Sequence, residues 1–336
     1  FDKDATKEDG SCIYPEENTD CDKPNSFDKT NNAFEPKDEL ENSIDFGESI
    51  ISTLKNEKVE LIFSNYCGCF IEASLIEKET NGELKYQNWD KPIPVKLIDQ
   101  SEQYAPLKFN NYTQFILKDT TNSKIVYHHK SSGIQLIYVL DDSNKLNLTI
   151  NNIPSDDEEL TINWNVKGPR QEKNLNTGWT SEREGSSLYY ANDEGDYDYL
   201  HDNDDELDDD DKESLKWIAY KQQFFSTILF AENSFYPKSM NVNYKEDDTD
   251  YVKQMNSALS FDNNLQQSIS IDFYFAPNDF SYLSGIDTGS SASFDNLIPL
   301  GWGIFGWVNE YLVIPVFDFL ESLGLGYGLI ILAIAI

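Results

Sequence analysis

Apolar and polar residues alternate with a period of two over much of the chain between residues 59 and 166. The first run places Val59, Leu61 and Phe63 on one face of an extended segment. Because successive side chains of a strand point to opposite faces of a sheet, such runs predict half-buried strands. The predicted strands are 59–63, 70–76, 95–98, 112–117, 124–128, 133–140, 145–150, 159–166 and 268–275. Turn residues separate them, which favours a mainly β fold, an antiparallel sandwich or barrel over residues 46–285.

Several segments depart from this alternation. Residues 1–45 are polar and carry scattered prolines, which predicts a disordered tether. Residues 193–211 hold twelve acidic side chains in nineteen positions. Their mutual repulsion predicts a disordered acidic loop over 193–213, with weak binding of divalent cations as the alternative. Residues 215–231 are apolar enough for a strand or a helix, residues 251–259 favour a short helix, and residues 286–296 resemble a linker.

The carboxy-terminal forty residues carry the strongest physical signal. The stretch 297–323 is apolar and aromatic, yet Glu310 and Asp318 interrupt it, and a carboxylate in hydrocarbon costs about 3 kcal/mol. Aromatic side chains of this kind are enriched at lipid headgroup depth, which predicts an amphipathic interfacial helix; the alternative is a buried helix of a water-soluble domain. The predicted interface residues are Trp302, Phe305, Trp307, Tyr311 and Pro315.

The final run has no polar side chain from residue 328 onward. A membrane-spanning helix needs about 20 apolar residues, so we expect residues 325–336 to be the start of a transmembrane helix that the sequence cuts short. The chain also does not begin with Met, so both ends are expected to be cuts in a longer protein.

Charge adds an orientation and excludes one class of partner. With 26 basic and 60 acidic residues the formal net charge is −34, and such a surface repels phosphate backbones, so no nucleic-acid partner is expected. After Lys253 no Lys or Arg occurs, whereas eight acidic residues do. Cytoplasmic flanks of membrane helices are rich in Lys and Arg, so this absence predicts that residues 1–296 lie in the periplasm.

Catalytic and metal chemistry find little support. Cys12 and Cys21 flank a polar loop and could form a disulfide in an oxidising compartment, whereas Cys67 and Cys69 are interpreted as isolated thiols rather than zinc ligands. The histidines are His128 and His129, adjacent on one predicted strand and so on opposite faces, and His201 in the acidic run. We therefore predict no catalytic residue, no metal, no cofactor and no enzyme activity.

Three segments together resemble the YidC membrane-protein insertases of the Bacteroidota type. The first runs from Trp217 through Gln223, Phe224 and Phe225; the second ends a strand with Tyr274 and Pro277, with Ala276 where the family has Gly; the third is the interfacial stretch 300–315. Residues 56–65 are similar to the opening strands of the family's periplasmic domain.

The resemblance implies a periplasmic β-supersandwich related in shape to sugar mutarotases, followed by an insertase core without cofactor. Its implied partners are nascent inner-membrane proteins, SecDF, SecYEG and the lipid bilayer. Two alternatives stay open: a non-catalytic periplasmic scaffold with a peptide or glycan cleft on a membrane anchor, and a membrane-anchored surface protein.

Overall fold

The computed structural model describes residues 49–109, 112–154, 159–203, 206–208, 213–262 and 268–335. In these ranges the chain forms the strands β1 Ile51–Lys55, β2 Val59–Ser64, β3 Cys69–Leu75, β4 Val95–Asp99, β5 Leu107–Phe109, β6 Ile116–Thr120, β7 Lys124–His128, β8 Gln135–Leu140, β9 Lys145–Asn151, β10 Glu159–Pro169, β11 Ser187–Asn192, β12 Tyr197–Leu200, β13 Glu206–Asp208, β14 Leu215–Lys221, β15 Phe225–Asn243, β16 Tyr251–Asp262 and β17 Ser268–Pro277. The helices are α1 Phe280–Ser284, α2 Ile304–Val308, a π turn Asn309–Val313, α3 Ile314–Ser322 and α4 Tyr327–Ala335, with 3₁₀ turns at Glu102–Tyr104 and Phe294–Leu297.

The strands form two antiparallel sheets. The smaller sheet has the order β1-β2-β3-β4, and the larger has thirteen strands with the main path β12-β11-β14-β15-β17-β9-β8-β7-β6. The long strand β15 joins two parts of the large sheet: its first half pairs with β14 and β17, and its second half pairs with β16. A register shift between Pro237 and Ser239 separates the second half into two stretches of regular pairing, as expected where a proline interrupts a ladder.

The main core lies between the two sheets and follows the alternation in the sequence. On β9, Leu146, Leu148 and Ile150 are buried while the residues between them are partly exposed. Aromatic contacts join the sheets: the rings of Phe70 in β3 and Phe273 in β17 lie 5.1 Å apart, edge to face. The mainly β, antiparallel architecture with few short helices is therefore confirmed.

Two secondary-structure predictions are wrong. Residues 251–259 belong to β16 and not to a helix, because this strand pairs with β10 on one side and β15 on the other. The acidic run is not a disordered loop throughout, because residues 197–200 pair with β11 and residues 206–208 pair with β15. Residues 204–205 and 209–212, and the predicted tether 1–45 with Cys12 and Cys21, lie outside the described residues.

Candidate membrane-interface site

The chain that follows β17 packs against one face of the large sheet. We call this contact the tail anchor, and its buried members are Tyr189, Ala191, Trp217, Ala219, Ile228, Phe230, Tyr274, Ala276, Leu283, Ala292, Phe294 and Leu297. The first eight come from β11, β14, β15 and β17, and the last four come from the segment 280–297. This cluster is separate from the main core, so the segment covers an apolar sheet face that would otherwise meet water.

Trp217 and Phe294 form the centre of the tail anchor. Both are fully buried, and the indole Nε1 of Trp217 donates a hydrogen bond of 2.9 Å to the backbone carbonyl of Ala292. The ring of Phe294 packs edge to face on Trp217 and on Tyr274, at centroid distances of 5.8 and 5.2 Å. The hydrogen bond fixes the backbone at residue 292, and the rings fix the next turn.

The local sequence explains why the chain turns at the end of β17. Pro277 is the last residue of that strand, and the Asp279 carboxylate then accepts the backbone N–H of Tyr282 at 2.7 Å, which caps the short helix α1. From this helix Leu283 enters the tail anchor. The hydroxyl of Ser281 donates to Asp318 in α3 at 2.7 Å, so α1 also contacts the following helices.

The helices after the tail anchor leave large apolar side chains in solvent. Trp302, Phe305, Trp307 and Tyr311 are 81, 62, 61 and 61 % exposed, and no residue of α2, the π turn or α3 is buried. Exposed apolar patches on proteins are often interaction sites, so this aromatic surface is a candidate interaction site. Pro315 lies in the first turn of α3, directly after the π turn, and the backbone N–H of Ile314 before it bonds the carbonyl of Asn309 five residues back.

Charge on this stretch is entirely acidic. Glu310, Asp318 and Glu321 accompany the apolar side chains, and no basic residue follows Lys253. The last described helix, α4, has nine residues. Within the described part of the chain, no helix combines the length and the apolar character that crossing a bilayer requires.

The structure brings two of the sequence motifs into direct contact. Phe225 and Pro277 lie opposite each other in the ladder between β15 and β17, and the Phe225 ring contacts Tyr86 at 5.2 Å. Phe224 is half exposed in the turn between β14 and β15, where Gln223 donates to the carbonyl of Thr180 at 3.3 Å. These residues are structural, because they hold a hairpin end and its neighbouring strand together.

The residues weighed for other chemistry are dispersed. His129 bonds the Ser132 hydroxyl at 2.7 Å and His201 bonds the Ser187 hydroxyl at 2.8 Å. Burial lowers the pKa of His129. Among the described residues no group of three or more His, Cys, Asp or Glu is arranged to hold a metal ion.

The prediction that Cys67 and Cys69 are isolated thiols is wrong, because the structure joins them in a disulfide. Gly68, between them, has a φ of +62°. That backbone conformation is open to glycine, and the resulting tight turn brings the two sulfurs together.

Sequence reasoning missed three of the twelve residues of the tail anchor. Residues 286–296 were predicted as a linker, yet Ala292 and Phe294 within it, and Leu297 just after it, are fully buried. A signal was present, because these apolar residues are spaced two and three apart just before Pro299. Such spacing is too short to predict a helix or a strand by periodicity.

A protein-family comparison decides the family. The family described as the YidC periplasmic domain matches residues 84–314, about two thirds of the chain. The chain belongs to this family. Its tail anchor, α2 and the π turn therefore fall within the region that the YidC periplasmic domain shares, and α3 begins at the boundary of the match.

Curated relatives are also similar over most of the chain. The membrane protein insertase YidC of Parabacteroides distasonis is 30% identical over 87% of this chain, and that of Bacteroides fragilis is 28% identical over 86%. In both comparisons the match covers 48% of the relative. The chain thus spans about half the length of the curated relatives it matches.

Two solved structures that match this chain are named after galactose mutarotase. A galactose mutarotase related enzyme from Lactobacillus acidophilus covers 68% of this chain and 97% of its own, with 9% identity and a TM-score of 0.34. A galactose mutarotase-like protein from Lactobacillus casei covers 67% of this chain and 100% of its own, with 7% identity and a TM-score of 0.35.

Proposed function

We propose that this chain is the periplasmic and membrane-entry part of an insertase that helps proteins enter and fold in the bacterial inner membrane. Membership of the YidC periplasmic domain family and the relatives named membrane protein insertase support this proposal. The proposed partners are nascent inner-membrane proteins, SecDF, SecYEG and the lipid bilayer. The whole protein would be multi-pass, with residues 1–296 in the periplasm.

The observation that carries the proposal is the exposed aromatic surface beside the tail anchor. Trp302, Phe305 and Trp307 are 81, 62 and 61 % exposed, although each is a side chain that gains about 2 kcal/mol when buried. If lipid covers them only in part, the three side chains together contribute about 4 kcal/mol to membrane binding, which is roughly a thousandfold in the membrane–water partition coefficient. The tail anchor would then hold the β domain at a fixed distance from the headgroups.

The acidic side chains agree with an interfacial position on the outer face. Moving the carboxylate of Glu310 or Asp318 to the bilayer centre would cost about 3 kcal/mol each, so both residues favour a helix that lies at the membrane surface. The absence of basic residues after Lys253 favours the periplasmic side by the positive-inside rule. Neither feature requires a cofactor or a covalent step.

The test uses the full-length protein in cells that can be depleted of it. A variant with Trp302, Phe305 and Trp307 changed to Ala is compared with wild type and with Trp179→Ala, because Trp179 is also exposed, at 89 %, but lies outside the helices. We expect depletion to block insertion of small membrane proteins, the triple variant to restore it poorly, and Trp179→Ala to restore it fully.

Two outcomes would reject parts of this proposal. Unchanged insertion on depletion would remove the insertase assignment. Full rescue by the triple variant, at equal protein level, would remove the membrane-interface role of the aromatic surface while leaving the assignment intact.

A second candidate function is a non-catalytic binding domain for peptides or glycans on a membrane anchor. An open cleft of about 400 Å³ between the β2–β3 turn and β5 favours it, because small-ligand sites have this size. Isothermal titration against peptides and glycans tests it, and no heat with either class would reject it.

A further inference from the structure

The disulfide between Cys67 and Cys69 closes a ring across a single residue. It lies in the turn between β2 and β3, with the two Cα atoms 5.1 Å apart. In the chain-entropy description a disulfide stabilises a fold by restricting the unfolded chain, and the effect grows with loop length, so a three-residue loop gives very little of it. A disulfide across so short a loop stabilises the fold only weakly.

Other contacts already hold this turn. The backbone carbonyl of Asn65 accepts from Phe115 at 2.8 Å, and that of Tyr66 accepts from Gln114 at 2.6 Å. The carbonyl of Gly68 accepts the hydroxyl of the fully buried Tyr138 at 2.8 Å. Because these bonds do not involve sulfur, we expect the turn to keep its shape whether the two cysteines are oxidised or reduced.

One of the two cysteines borders a cleft that can admit a ligand. The cleft of about 400 Å³ is lined by Tyr66, Cys67, Glu102, Ala105, Leu107 and Tyr112, among others. Cys67 is 5 % exposed, whereas Cys69 is fully buried. The walls are mainly apolar and aromatic, and the Glu102 carboxylate is held in place by the Ser64 hydroxyl at 2.6 Å. Such a cleft suits a short polypeptide segment.

We propose that the Cys67–Cys69 disulfide is a thiol–disulfide exchange site for cysteine-containing polypeptide segments that enter this cleft. That the segments belong to membrane proteins during insertion rests on the proposed function. The periplasmic side proposed above is an oxidising compartment, where such chemistry operates.

The exchange proceeds in two balanced steps. A thiol of the segment loses its proton to water, its thiolate attacks the sulfur of Cys67, the Cys67–Cys69 bond breaks, and Cys69 leaves as a thiolate. A second thiolate of the segment then attacks the mixed disulfide at the segment's sulfur, and Cys67 leaves as a thiolate. The segment's two thiols become a disulfide, the two cysteines of this chain gain two electrons, and their thiolates take up two protons from water.

The first test measures whether the disulfide responds to a physiological thiol in the native state. The chain is equilibrated in millimolar reduced and oxidised glutathione without denaturant, and the exchange is quenched with acid. Thiols at positions 67 and 69 are then labelled with maleimide in denaturant and located by peptide mass spectrometry. We expect reversible reduction of this pair with an unchanged circular dichroism spectrum. Reduction that occurs only when denaturant is present during the equilibration would overturn the proposal, and so would positions that remain thiols under oxidised glutathione.

The second test asks which sulfur the segment reaches. Cys69→Ser and Cys67→Ser each leave one free thiol at this site, so they lose the same bond and serve as matched variants. Both are mixed with a peptide whose cysteine is activated as a thionitrobenzoate disulfide. We expect Cys69→Ser to form the peptide adduct at least about tenfold faster, because exposure governs thiol reactivity. Equal rates, or no adduct in either variant, would overturn the proposal.

Both tests use the chain alone and do not measure insertion. Failure of the exchange would therefore leave the insertase proposal untouched. Failure of the insertion assay would leave exchange intact and would remove only the identity of the client.

Discussion

Replacing Trp217 tests whether the tail anchor positions the membrane-interface helices. Trp217→Phe keeps an aromatic ring but removes the indole N–H, which leaves the buried carbonyl of Ala292 without that donor. The expected cost is about 1–2 kcal/mol. Trp217→Ala also removes the ring against which Phe294 packs, for about 3–5 kcal/mol in total.

The loss should be local before it is global. The segment 280–298 is attached to the sheet through the tail anchor, so its opening free energy falls with each substitution. Hydrogen exchange of the bonded amides of Leu283 and Ile298 reports that opening. We expect exchange to accelerate about tenfold in Trp217→Phe and at least a hundredfold in Trp217→Ala, since 1.4 kcal/mol is a factor of ten.

Trp164 supplies the matched control. It is fully buried in the main core, and its indole nitrogen has no hydrogen-bond partner in the described residues, so Trp164→Phe removes no such bond. Exchange in 280–298 should then follow only the change in global stability. If Trp217→Ala left exchange in this segment as slow as in wild type, the tail anchor would not hold the segment and our reasoning would be refuted.

Three further predictions concern the β domain. Burial raises the pKa of Glu182 to about 7, so folding favours the neutral carboxyl. The free energy of unfolding should therefore be highest below pH 4.5 and should fall by about 2 kcal/mol between pH 5 and 8. Urea denaturation of Glu182→Gln across this range should no longer show the fall. Gly68→Ala should lower the free energy of unfolding by about 2 kcal/mol or more, because φ is +62° and a Cβ would lie 2.6 Å from the Phe115 ring; an unchanged urea midpoint would contradict this. Asp279→Ala should cost about 1 kcal/mol by calorimetry through loss of the α1 cap, and Asp279→Asn should restore most of it.

The prediction for residues 251–259 failed for a physical reason. Val252, Met255 and Leu259 are spaced as on one face of a helix. In the fold, Ser257 occupies a buried position between Met255 and Leu259 and donates to the carbonyl of Trp164 at 3.1 Å. Because this buried position holds a polar residue, the apolar residues alone do not show the alternation of a strand. Only the neighbouring strands make a serine favourable at this buried position.

The sequence alone determined the features that depend on local pattern. Alternation gave most strands between residues 59 and 166, and the composition of 297–323 identified an apolar, aromatic stretch interrupted by acids, which the structure leaves exposed. That lipid covers it stays a prediction. Both features follow from residues close together in the chain, where side-chain direction is set by the backbone itself.

Only the tertiary structure decided what meets across the chain. It placed Phe294 against Trp217, paired Phe225 with Pro277, and set Cys67 at the edge of a cleft that β5 helps to form. Each of these contacts joins residues that are far apart in sequence. The Cys67–Cys69 disulfide is local, but it depends on the tight turn at Gly68. Such contacts are set by which sheet face is left uncovered once the strands have paired, and periodicity along the chain does not encode that choice.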